Sequence, residues 1–98
     1  MAMKSNENSL EIDGWGIVMC DPETHEPVMY WDKMENRIDG RLSIASVFEE
    51  KSEAKQVYER IKYNPYAKMK LVKMNYKYIA KDEELGEPKE TISIISMI

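Results

Sequence analysis

The sequence predicts an α+β domain: a three- to four-stranded, mostly antiparallel sheet with one helix packed on one face. Three observations carry that prediction. Residues 54–61 repeat apolar side chains at helical spacing, residues 72–79 alternate at strand spacing, and Pro65 separates the two stretches. Ahead of them lie two short apolar runs, WGIVMC and VMYW, joined by a turn bounded by Pro22 and Pro27.

The helix rests on Ala54, Val57, Tyr58 and Ile61, which fall at i, i+3, i+4 and i+7 and so line one stripe. Lys55, Gln56, Glu59, Arg60 and Lys62 fill the opposite side. Ser52 is the expected N-cap, since its hydroxyl can accept from an unpaired backbone N–H. Glu53 then adds a negative charge near the positive end of the helix dipole. Glu49 and Glu50 leave room for a start two residues earlier. Asn64 before Pro65 sets the expected end, because the residue before proline disfavours the helical region. A helix this short does not hold alone in water, so its stripe must lie on something.

The following strand offers a support. Val72, Met74, Tyr76 and Tyr78 share one face, and Lys73, Asn75 and Lys77 the other. Leu71 and Ile79 interrupt the polar face at its ends. The helix stripe and the Val72–Tyr78 row are the expected partners.

Residues 1–10 are polar, without a period, and are expected to be frayed or disordered. Trp15–Cys20 is apolar on both faces, which suits an interior strand. Val28–Trp31 follows as a second strand, hairpinned to the first. Residues 32–41 read as a loop with Asp39-Gly40 as its turn. Residues 42–48, LSIASVF, read either as extended or as a lead into the helix. Ser46 and Glu49 have capping-box spacing for a helix from Val47, but EEKSE then leaves the stripe without apolar residues. Residues 82–90 form a charged turn, and residues 91–98, TISIISMI, a final β-branched strand.

A right-handed crossover through the helix makes the third strand parallel to the second. The two-sided apolarity of the first strand places it between them. The expected order is therefore 2-1-3, with the C-terminal strand at the edge beside strand 3. One helix covers one sheet face. The other must be sealed by residues 32–48, a second copy or a partner.

Ninety-eight residues make a single domain spanning 1–98. One cysteine excludes an internal disulfide and suits a reducing compartment. The N-terminus lacks the apolar middle of a signal peptide, and no apolar run reaches the roughly 20 residues of a membrane span. A cytoplasmic location is expected, the host cytoplasm if the protein is viral. Net charge is −4, unevenly spread. Residues 54–81 hold eight basic and one acidic side chain, and the rest hold six basic and seventeen acidic. Such asymmetry serves either attraction within the fold or a partner of opposite sign.

No residue set reads as catalytic, metal-binding or cofactor-binding. Cys20 and His25 could meet across the turn as nucleophile and base, but nothing accompanies them to orient the base or hold an oxyanion. A core cysteine and a solvated histidine are the simpler account. Asp21, Glu23, His25 and Glu26 match no calcium or zinc spacing and read as a solvated turn. Lys68, Lys70, Lys73 and Lys77, interleaved with tyrosines, have the composition of a nucleic-acid surface. Yet Tyr76 and Tyr78 belong to the expected core, and the lysine row equally suits a protected strand. Eight methionines suit either a core or a surface that accepts partners. The candidate partner-binding residues are Asp21, Glu23, Glu26, Tyr30, Trp31, Asp82, Glu83 and Glu84. The apolar strand 91–98 is a candidate for homodimer pairing.

The layout resembles a loose group of small phage-encoded proteins of unassigned function. The matching residues are the aromatic-led strand Trp15 to Met19, the stretch Ser43 to Phe48, the helix start Ser52 to Ala54 and the lysine-rich strand Lys70 to Tyr76, about two thirds of the chain as laid out. The resemblance supplies no functional residues. It implies a small accessory protein, including the inhibitors of host or defence proteins. The expected function is thus a non-enzymatic, protein-binding accessory factor acting through acidic loops or an exposed sheet face or edge. The alternative is a nucleic-acid-binding domain using the lysines of residues 60–77.

Overall fold

The computed structural model describes residues 2–5, 9–65, 67–80 and 88–97. In chain order these form β1 (Ala2–Ser5), β2 (Ser9–Cys20), β3 (Pro27–Asp32), β4 (Arg37–Asp39), a 3-10 turn (Ile44–Ser46), α1 (Lys51–Ile61), β5 (Lys68–Ile79) and β6 (Lys89–Met97). The class is α+β, with one α-helix among the described residues. Every strand pair is antiparallel. Among the described residues the sheet has six strands rather than three or four: a path β4-β3-β2-β5-β6, with β1 pairing β2 off that path. The expected 2-1-3 arrangement becomes β3-β2-β5 inside this wider sheet.

β2 and β5 are the spine. Each has twelve residues, and they pair without a slip from Ser9↔Ile79 to Cys20↔Lys68. At about 3.4 Å per residue this ladder runs about 40 Å, which accounts for most of the 45 Å long axis. With β5 along one edge, the other edge of β2 is shared. β1 pairs Leu10 to Asp13, Trp15 exchanges backbone hydrogen bonds with Phe48, and β3 pairs from Val18 to Cys20. The expected frayed start therefore contributes strand: residues 2–5 pair, and β2 begins at Ser9 instead of Trp15. The expected loop at 32–41 likewise contains β4.

The two sheet faces are distinguished by the parity of β2. Odd residues Trp15, Ile17 and Met19 lie with Met69, Leu71, Trp31, Ile38 and Phe48 beneath Ala54, Val57, Tyr58 and Ile61 of α1. This is the helix face. Even residues Leu10, Ile12, Val18 and Cys20 lie with Val72, Met74, Tyr76, Tyr78, Tyr30, Ile92 and Ile94 on the far face, under Leu42 and Val47. The expected pairing of α1 with the Val72–Tyr78 row is therefore corrected: Val57 and Tyr76 pack in different clusters on opposite sides of the sheet. The physical reason is the length of β5. It starts at Lys68, four residues before the expected start, so Met69 and Leu71 supply a second apolar face. Leu71 is the floor under the helix, not an interruption.

Of the three covers offered for the second face, residues 42–48 are the one observed. They form neither a strand nor the start of the helix. Ser43 caps the 3-10 turn reciprocally with Ser46, and the chain then extends to pair at Phe48. Gly14 and Gly16 let this segment lie directly on the sheet. A Cβ at Gly14 would overlap the Phe48 carbonyl oxygen and sit 2.8 Å from Val47 Cγ1. One at Gly16 would meet the Met74 thioether and lie 2.9 Å from the Ser46 oxygen. Lys33 fastens the segment from the side, its N–H donating to Ala45 O at 2.9 Å and its Nζ to Val47 O at 2.5 Å.

α1 starts at Lys51 with Glu50 as N-cap and no side-chain cap bond, so Ser52 lies inside the helix. It stops at Ile61, three residues before Asn64, where Lys62 N–H still bonds Tyr58 O. Each large side chain buried on either face contributes about 1.5–3 kcal/mol. No helix among the described residues is long and apolar enough to cross a membrane.

Candidate functional site

The sequence-predicted residues are scattered. Asp21, Glu23 and Glu26 sit in the β2–β3 turn, whose backbone is well tied. Asp21 Oδ1 accepts from the N–H groups of Glu23 and Thr24 at 2.8 and 3.1 Å, and His25 N–H donates to Asp21 O at 2.8 Å with His25 at φ 64°. The Thr24 and Glu23 N–H groups hold the Asp21 carboxyl below its ordinary range. The Glu23 and Glu26 side chains face solvent. Asp82, Glu83 and Glu84 lie outside the described residues.

Tyr30 and Trp31 do not form a surface patch. Tyr30 is half-buried on the far face, and Trp31 is only 7 % exposed on the helix face, under the Arg60 guanidinium 5.9 Å from its ring. Their strand is the second from the sheet margin because β4 covers its outer side, which the loop reading of 32–41 concealed. Cys20 and His25 part company too: Cys20 is a 2 %-exposed member of the far-face core, and His25 projects from the exposed turn. No group of three or more His, Cys, Asp or Glu among the described residues is arranged to hold a metal.

The four lysines are divided by the pleat. Lys68 and Lys70 pair with Cys20 and Val18 and share the parity of the far face. Lys73 and Lys77 pair with Trp15 and Glu11 on the other. Lys77 already lies 3.9 Å from the Glu11 carboxylate. One strand of nucleic acid following a single face would meet half of them.

Two further features were missed from sequence, and a third refines one that was read. Beyond the helix end, the helix face turns polar: Asn75 Nδ2 donates to Glu11 and Asp13 at 3.0 and 2.6 Å. The alternation Glu11-Ile12-Asp13 carried that signal, but it fell in a stretch read as a frayed leader. A cleft of about 480 Å³ opens between the β2–β3 turn and the end of α1, lined by Pro22, Tyr58, Lys62, Tyr63, Pro65 and Lys68 among others. Tyr63 is 79 % exposed there, and Lys62 lies 5.1 Å from its ring. The hydrogen bond that Lys62 Nζ donates to the Glu59 carboxylate raises the Lys62 pKa.

The third feature is the outer edge of β6, a detail within the apolar strand already singled out. Hydrogen bonding alternates along an antiparallel ladder, so one known pair fixes the rest. Trp15 spends its backbone groups on Phe48. Odd residues of β2 therefore bond away from β5, and even residues bond to it. In β5 the odd residues then bond β6, taking Lys89, Thr91 and Ser93. The N–H and C=O groups of Glu90, Ile92 and Ile94 are left pointing outward. Among the described residues no strand pairs with that edge. A bulge at Ile95, between the Met74↔Ile94 and Lys73↔Ser96 pairs, shifts the register, and pairing resumes through Lys73↔Ser96 and Val72↔Met97. Glu90 is engaged by the Tyr76 hydroxyl, which donates to its Oε2 at 2.8 Å. Burial, with that carboxylate second, pushes the Tyr76 pKa up to about 12.

The opposite margin differs in kind. β4 has three residues, two of them charged, with Arg37 3.6 Å from Asp39. Short length and charge are the usual protections of an edge strand. β6 has nine residues and no charge from Thr91 to Met97. Comparison with known proteins returned no matching family model, no matching curated protein and no matching solved structure.

Proposed function

We propose that the chain is a non-enzymatic protein-binding factor of the modulator or inhibitor kind, and that it binds by adding a strand to β6. The observation that carries this reading is the outer edge of β6: outward backbone groups at Glu90, Ile92 and Ile94, with no charged side chain from Thr91 to Met97. Strand addition draws affinity from such main-chain groups and specificity from alternate side chains. Both sheet faces carry their own apolar clusters beneath covering segments. That weakens the expectation of a bare face and shifts the weight to the edge. The exposed acidic turn of Glu23 and Glu26 is the second element of the same reading, suited to orienting a basic partner.

The test compares three proteins as bait in a cell lysate: the wild type, the edge variant Thr91→Lys/Ser93→Lys and the turn variant Glu23→Lys/Glu26→Lys. A protein retained by the wild type and the turn variant, but lost by the edge variant, supports strand addition. Loss only from the turn variant places recognition in the acidic turn instead. Titration of labelled RNA and DNA at two salt concentrations covers the lysine reading. Binding that weakens steeply with salt favours it, and no binding at low salt removes it.

A further inference from the structure

The edge of β6 has a symmetry that names its occupant. Before the bulge at Ile95 its outward-bonding residues are Glu90, Ile92 and Ile94, evenly spaced about Ile92; the bulge sets this run apart from Met97, which follows it in a shifted register. We infer that the strand that fits this edge is β6 of a second copy of the chain, antiparallel across a two-fold axis at Ile92. The inference rests on the strand-addition reading and supplies its partner.

In that register Ile92 faces Ile92 of the partner copy, and Glu90 and Ile94 face each other reciprocally. Each outward residue meets another outward residue, so all their N–H and C=O groups are paired, two bonds to each facing pair. A centre at Thr91 or at Ser93 pairs only two of the three outward residues with each other, and the centre at Ile92 pairs all three. A two-fold contact must be self-complementary, and this one is.

The side chains agree with the backbone. Ile92 and Ile94 are half-buried at the rim of the far-face cluster, with no strand beyond them among the described residues. Facing residues of an antiparallel pair point to the same side. The partner copy therefore lays its own Ile92 and Ile94 against that rim and extends the apolar layer across the axis. On the opposite side the small exposed pair Thr91 and Ser93 meets Ser93 and Thr91, with no like charges opposed. Glu90 faces Ile94 and not a second Glu90, and it is already held by Tyr76.

Thr91 and Ser93 give a test that leaves the core alone. Two variants are made, Thr91→Lys/Ser93→Lys and Thr91→Glu/Ser93→Glu, and each is checked for fold by circular dichroism. Sedimentation equilibrium is then run on the purified chains across a concentration series. The wild type should be a dimer. Each variant alone should be a monomer, since four like charges would cluster at the axis. An equimolar mixture of the two should regain the dimer through opposed lysine and glutamate pairs. A wild type that is monomeric at every concentration overturns the second copy, as does a lysine variant that stays dimeric or a mixture that stays monomeric. The wider reading is decided separately: a monomeric wild type that still captures a foreign protein through the same edge keeps strand addition and loses only the identity of the partner, and a monomeric wild type that captures none through that edge loses both.

Discussion

The two faces of this sheet are covered by opposite means. The helix face is covered by a regular element whose stripe is visible in the sequence: Ala54, Val57, Tyr58 and Ile61 over Ile17, Met69 and Leu71. The far face is covered by seven residues with almost no regular structure, lying on Gly14 and Gly16. A helix keeps its distance from a sheet and fills the gap with side chains. The 42–48 segment removes the gap, and its carbonyl oxygens approach where side chains would stand. The first cover tolerates repacking, and the second depends on two absent Cβ atoms.

The hardest way to break the comparison is to supply one of those atoms. Gly14→Ala should cost about 3 kcal/mol or more, because the methyl group meets the Phe48 backbone and not a flexible side-chain end, and because the Trp15–Phe48 bonds are strained with it. Against a total stability of about 5–15 kcal/mol this is a large loss. Gly40→Ala is the control, with nothing within 4 Å of the added carbon, and should stay within about 0.5 kcal/mol. Urea titration of both variants measures the contrast. Equal midpoints would mean that the segment does not lie on the sheet as described.

A smaller effect sharpens the assignment of α1 to its face. Met74 is fully buried on the far face, with Val47 in the same cluster, while Val57 belongs to the other. Met74→Ala should cost about 2–5 kcal/mol by itself. The informative quantity is the coupling in a double-mutant cycle. Met74→Ala with Val47→Ala should depart from additivity by about 1 kcal/mol or more, since the two belong to one packed cluster. Met74→Ala with Val57→Ala should be additive within about 0.5 kcal/mol. The reverse pattern would return the helix to the Val72–Tyr78 row.

The same contrast explains what could be read from the sequence. The helix, the β2–β3 hairpin, the strand after Pro65 and the C-terminal strand were legible, because each has its own period or its own proline. The side on which the helix lies was not legible. A strand that is apolar on both faces through Met69, Leu71, Val72 and Met74 offers two equally good rows. The choice falls to Ile17 and Trp31, more than thirty residues away in the chain. β1 and β4 were missed because short polar strands gain their stability from neighbours, not from their own composition. At the candidate site, the open edge was legible as an uncharged β-branched run. The burial of Trp31 was not, since it depends on β4 and on Arg60. The division of the lysines follows from parity alone, and it needed only a strand start at Lys68.

The mildest perturbation reaches the far face where β5 meets β6. Tyr76 is buried there and donates to Glu90 on β6. Tyr76→Phe keeps the ring and removes that bond, and should cost about 1–1.5 kcal/mol at neutral pH. Its pH dependence separates this tyrosine from the others. The phenol titrates near 10 when unfolded and at about 12 when folded, burial being the first cause and the Glu90 carboxylate the second. A pKa raised by folding gives stability that is complete below pH 10 and is lost as pH climbs to 12, because the unfolded chain releases its proton first. The wild type should therefore weaken over that window more than Tyr76→Phe does, and the gap between their urea midpoints should close. A gap that holds constant from pH 9 to 12 would mean that the Tyr76 hydroxyl is solvated, and with it that the start of β6 is not fastened to β5 by this bond.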